Sequence, residues 1–132
     1  MLDIAAIVSA QYAQLATDSA GAQVRAAVAG IITADDLDKP LPGDLFVAFR
    51  ERPIGGQSYE MRPIVVEWWI YDVRSQGTTR INHMLNLIQA AYEPFSCIPF
   101  CDTRITQIGA PQIDTTRNRM TRFLQLTSYT RG

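Results

Sequence analysis

The most informative stretch of apolar positions runs from Ile64 to Tyr71, broken only by Glu67. Ile64, Val66, Trp68 and Ile70 share one side of an extended chain, and Val65, Glu67, Trp69 and Tyr71 share the other, because successive strand side chains point to opposite faces. Both faces are largely apolar, which predicts a central strand covered on two sides. The period changes after the turn Arg74–Gly77. Ile81, Met84, Leu85, Ile88, Ala91 and Tyr92 recur at helical spacing, and Asn82, His83, Asn86, Gln89 and Glu93 form the polar face. Thr78 or Thr79 caps this helix and Pro94 ends it.

The flanking pattern is weaker. Leu2, Ala5, Val8, Tyr12 and Leu15 predict a helix over residues 2–16, and the alanine-rich stretch 20–29 predicts a short second helix closed by Gly30. Residues 34–44 hold two prolines and a glycine and read as a loop. Leu45–Phe49 reads as a strand. The polar run Arg50–Arg62, with Gly55 and Gly56 at its centre, reads as a long hairpin that reaches beyond the sheet. Thr103–Gly109 and Arg119–Tyr129 supply two further strands. The expected fold is α+β, one domain over residues 1–132, in the order α-α-β-β-α-β-β. Its sheet is mostly antiparallel, with about four strands packed by helices.

Charge changes this picture only locally. The net charge of −1 gives no general attraction to nucleic acid or anionic membrane. Residues 1–60 hold 8 acidic and 4 basic side chains and residues 61–132 hold 5 and 8, so the halves sum to −4 and +3. Such asymmetry labels two different surfaces or merely two solvated ones. Of the 12 basic residues only Lys39 is not arginine. Arginine favours interfaces, although a GC-rich genome yields the same bias. No basic stretch precedes the apolar N-terminal residues, so no secretory leader is expected. No run approaches the roughly 18–20 apolar residues of a membrane span.

Candidate chemistry is sparse. The single histidine, His83, falls on the wet face of its helix, far from Cys97 and Cys101. Two cysteines and one histidine do not assemble the four ligands of a structural zinc site. No serine sits in a nucleophile elbow, Gly55-Gly56 lacks the Gly-Lys-Ser/Thr of a phosphate loop, and Asp35, Asp36 and Asp38 lack the spacing of a calcium loop. Trp68 and Trp69 point to opposite faces and cannot form one stacking platform. Glu67 and Asp72 could in principle form a carboxylate pair for acid–base work, but Glu67, inside an apolar strand, reads better as the partner of an arginine on an adjacent strand or subunit. No enzyme activity, metal or cofactor is expected.

The alanine-rich helical start, the Pro40-Leu-Pro42 turn into a strand, the polar hairpin, and the unit Val65–Tyr92 together form an order of elements. That order resembles the tail terminator, or tail-completion and head–tail joining, proteins of long-tailed bacteriophages. The resemblance covers most of the chain as an element order and is carried in sequence mainly by Val65–Tyr92. It implies a virion protein assembled in the host cytoplasm as a homo-oligomer, a hexameric ring. Such a ring caps the tail tube, stops its polymerisation and docks the head-completion (stopper) protein, with DNA passing through the lumen. By position, Arg50, Arg52, Gly55, Gly56, Tyr59, Arg62 and Glu67 are candidates for contacts with neighbouring subunits or the tube protein. Arg117, Arg119 and Arg122 are candidates for the lumen or the docking face. A small oligomeric ligand-binding or regulatory α+β domain without catalysis is the alternative.

Overall fold

The structure, a computed structural model, describes residues 4–52, 64–93 and 101–130. Its elements run α1 (Ile4–Ala16), α2 (Ala22–Ala27), β1 (Gly30–Thr33), β2 (Phe46–Arg52), β3 (Ile64–Val73), α3 (Thr79–Tyr92), β4 (Cys101–Ile108), β5 (Gln112–Asp114) and β6 (Arg119–Thr130), with short 3₁₀ turns between some of them. The class is α+β as expected. The sheet has six strands rather than about four, in the order β1-β2-β3-β6-β4, with β5 on the remaining length of β6. All pairings are antiparallel except β1 with β2.

The two extra strands are short and are held by pairing. Gly30 opens β1 instead of closing a helix, and α2 ends at Ala27. Gly30 is needed for close approach: a Cβ there would lie 2.8 Å from Pro42 Cβ. Residues 34–38, expected as loop, form a 3₁₀ turn. β4 and β5 form one broken edge along β6. The break falls at Gly109, whose N–H donates to the Phe123 carbonyl at 2.9 Å. A side chain at 109 would meet the Phe123 ring at 2.2 Å. The protruding hairpin expected between β2 and β3 has its tip on residues 53–63, outside the described residues.

β3 is the central strand, with β2 on one side and β6 on the other. Its inner face, Val66, Trp68 and Ile70, meets the helices through Leu15, Val24, Ile81, Met84, Leu85, Ile88 and Tyr92. The α3 stripe is the one expected. The α1 stripe is displaced: Leu15 is buried, but Ala5 is exposed and Ile7 and Gln11 are the buried centre. Gln11 is polar, so no apolar pattern announces it.

Gln11 joins a buried chain of hydrogen bonds. Trp68 Nε1 donates to Tyr92 Oη at 2.8 Å, and the Tyr92 hydroxyl donates to the Gln11 carbonyl. The Gln11 amide donates to Ser128 Oγ and, at 2.9 Å, to Thr103 Oγ1. A second clamp fixes the β3–α3 corner. Asp72, fully buried, accepts two bonds from the Arg80 guanidinium, one at 2.8 Å, and another from the Val73 N–H at 2.8 Å.

Burial pushes the Tyr92 hydroxyl far above its usual range, against a smaller opposing effect of the Trp68 bond. The unfolded chain ionises near pH 10 while the folded chain holds its proton. Stability is therefore unaffected by this group below about pH 10 and falls above it, by up to about 1.4 kcal/mol per pH unit. Tyr92→Phe is expected to lose about 1–3 kcal/mol at neutral pH, because the Trp68 N–H is left buried without its acceptor. It is also expected to flatten the alkaline decline. Urea unfolding between pH 7 and 11 measures both, and an unchanged alkaline slope would show that Tyr92 does not govern it.

Candidate functional site

Glu67 sits on the outer face of β3, opposite the helices, and is only 3% exposed. Its neighbours explain how a carboxylate is tolerated there. Register places Arg50 and Gln125 on either side of it. Trp69 Nε1 donates to Oε1 at 3.1 Å, and Gln125 Nε2 donates to Oε2 at 3.2 Å. Arg52 reaches Oε2 at 3.4 Å from the end of β2. Glu67 is thus paired within its own protomer to an arginine of the adjacent strand. Arg50 and Arg52 are exposed at the base of the hairpin. Gly55, Gly56, Tyr59 and Arg62 lie outside the described residues.

The same face carries a run of rings across three strands. Phe46 stacks on Tyr71 at 5.0 Å, Tyr71 neighbours Trp69 at 6.5 Å, and Trp69 stacks on Phe123 at 4.7 Å. Ile32, Leu37 and Leu41 pack over the Phe46–Tyr71 end. The chain therefore covers part of its own second face. Trp69 and Phe123 stay half-exposed. Beyond them the face is polar, with Thr106 bonded to Thr127 at 2.7 Å and exposed Arg104 opposite Thr127.

The late arginines do not form one cluster. Arg122 points to the inner side, where it donates to the Gly109 carbonyl at 2.8 Å and to Asn82 Oδ1 of α3 at 2.7 Å. It pins the β4–β5 break to the helix layer. Arg117 and Arg119 lie on and beside the β5–β6 turn, which Asn118 closes at φ 55°, a left-handed value asparagine tolerates. Arg117 pairs with Asp114 at 2.9 Å and approaches Asp38 at 3.9 Å. Burial alone would raise the Asp114 carboxyl, but hydrogen bonds from the Arg117 side chain and backbone outweigh it and hold it below the usual range.

An open cleft of about 650 Å³ lies between α1 and the β1 side of the sheet. Val8, Tyr12 and Phe49 form its apolar floor, and Asp35, Arg50 and Glu51 its charged rim. Tyr12 meets Phe49 edge-on at 5.3 Å. The acidic composition of residues 34–38 was visible in sequence, but its meeting with α1 depends on β1, which was not. Among the described residues, no group of three or more His, Cys, Asp or Glu side chains is placed to hold a metal, and no helix is long and apolar enough to cross a membrane.

No protein-family model matches the chain, and no curated protein matches it in sequence. The fold has a known counterpart. The structure of the bacteriophage SPP1 gp17 protein is similar over 98% of this chain and 91% of that one, with a TM-score of 0.56 and 12% identity. At that identity the likeness establishes a shared fold.

Two substitutions separate the neutral from the charged partners of Glu67. Glu67→Gln is expected to cost about 1–3 kcal/mol, since a buried acceptor is lost and an amide is turned toward the Gln125 amide. Arg52→Ala, removing a mostly exposed partner, is expected to cost under about 1 kcal/mol. Urea melts and Trp69 emission report both. Equal losses would mean that the ion pair, not the neutral donors, holds the carboxylate.

Proposed function

We propose that this protein is a structural component of a bacteriophage tail, a tail-completion protein of the terminator type. The observation that carries the reading is a fold shared nearly end to end with a bacteriophage protein, in a chain whose β3–α3 unit independently resembles tail-completion proteins. In this reading the protomers form a hexameric ring on the end of the tail tube. The ring halts tube growth and presents a face to the head-completion protein, and DNA passes through its lumen without being read. No catalytic step is assigned.

The arrangement of residues supports a role in assembly. All three helices pack on one face of the sheet. The other face keeps a half-exposed Trp69–Phe123 pair beside a polar field. In this reading Arg50 and Arg52, exposed at the root of the hairpin, contact a neighbouring subunit or the tube. In the same reading Arg117, on the β5–β6 turn, and Arg119, at the start of β6, belong to the lumen or docking face. The Arg122 guanidinium already serves the protomer, so its replacement should impair folding before docking.

Purified protein mixed with tail tubes tests the proposal. Negative-stain images are expected to show rings closing tube ends, and light scattering should show arrested tube growth. A protein that stays monomeric and leaves tubes growing would overturn it.

A further inference from the structure

We propose that the cleft on the β1 side receives the β4–β5 edge of a second copy of this chain, head to tail. The inference deepens the ring reading and rests on it.

Two open edges of one sheet carry the argument. β1 and β4 stand at opposite ends of the strand order. β1 pairs β2 only from Phe46 to Phe49, so among the described residues the Arg50–Arg52 stretch has no strand on its β1 side. The cleft opens at that place. At the far end, among the described residues, β4 has β6 on one side alone. Unpaired backbone at both ends is a template for strand addition. A contact between two different surfaces, repeated around an axis, is the kind that closes a ring.

The side chains at the two ends are complementary. Ile108 is 39%, Ile113 47% and Tyr129 41% exposed, and these are the large apolar side chains left exposed among the described residues. Ile108 and Ile113 lie on the β4–β5 edge, and Tyr129 lies on β6 beside the start of β4. The cleft offers an apolar floor of matching character in Val8, Tyr12 and Phe49. Its rim carries Asp35 and Glu51 against Arg50, one net negative charge. Arg104 is exposed on β4 and makes no hydrogen bond or ion pair among the described residues. It is the cation such a rim would take. The shift in the sheet register between Ile105 and Gln107 twists this edge and blunts indiscriminate pairing, so the match of side chains decides the partner.

Charge reversal in the full-length chain, assayed by light scattering and by ring formation on tail tubes, tests the contact. Asp35→Arg with Glu51→Arg blocks the cleft, and Arg104→Glu blocks the edge. Each variant alone should lose self-association at least tenfold. Mixing the two should restore rings of alternating variants, because every contact then pairs opposite charges, and combining the reversals in one chain should restore rings as well. All three positions are exposed, and circular dichroism melts confirm the fold. Single reversals that assemble like wild type would overturn this contact and leave the ring reading standing. Wild type that forms no ring at all would overturn both. A photo-cross-linker at position 113 gives an independent readout: capture of Val8–Tyr12 or Phe49–Glu51 of a second copy supports the contact, and capture of the tube protein overturns it.

Discussion

One buried chain of hydrogen bonds decides how this molecule is put together. It runs from the Trp68 indole through the Tyr92 hydroxyl and the Gln11 backbone and side chain to Ser128 and Thr103. In five residues it joins β3, α3, α1, β6 and β4. A buried polar group without a partner costs about 1–3 kcal/mol, so each link constrains the next. α1 is nearly featureless as an amphipathic helix and carries no acidic or basic capping charge. Its position is set by Gln11 reaching across the sheet, with Ile7 and Leu15 buried on either side of it.

That constraint places every helix on one face and leaves the other to smaller devices. The residues 34–41 cover the Phe46–Tyr71 end, and Glu67 collects three donors in the middle. A carboxylate could not be buried on an apolar strand without them. The result is a sheet face whose middle is buried and satisfied, with Trp69 and Phe123 left partly open to solvent.

How much of this the chain discloses depends on how local each interaction is. The β3–α3 unit was legible because strand alternation, the Gly77 turn and the α3 stripe all lie within thirty residues of each other. The pairing of Glu67 with an arginine of the adjacent strand was one of the readings its apolar surroundings allowed. β1 and β5 were not legible, because three or four residues carry no period and their strands exist only through β2 and β6. Gln11 was missed because a buried amide interrupts an apolar stripe rather than extending it. Arg122 was grouped with Arg117 and Arg119 by proximity in the chain. Alternation separates it from Arg119, but its bonds to Gly109 and Asn82 come from elements that sequence spacing does not bring together.

The missed strands are also the ones on which the proposed contact between copies rests. β1 ends the sheet on the acidic half of the chain and β4–β5 ends it on the basic half, so the charge asymmetry counted along the sequence becomes an asymmetry across the sheet. Within the protomer the two halves touch where Arg117 approaches Asp38 at 3.9 Å. In the proposed contact two copies would bring the cleft and the β4–β5 edge together head to tail, because like ends would oppose acidic rim to acidic rim and leave the apolar floor unused. Strand order, charge and exposed apolar side chains thus favour the same relation between copies, and that relation is the one the proposed ring would require.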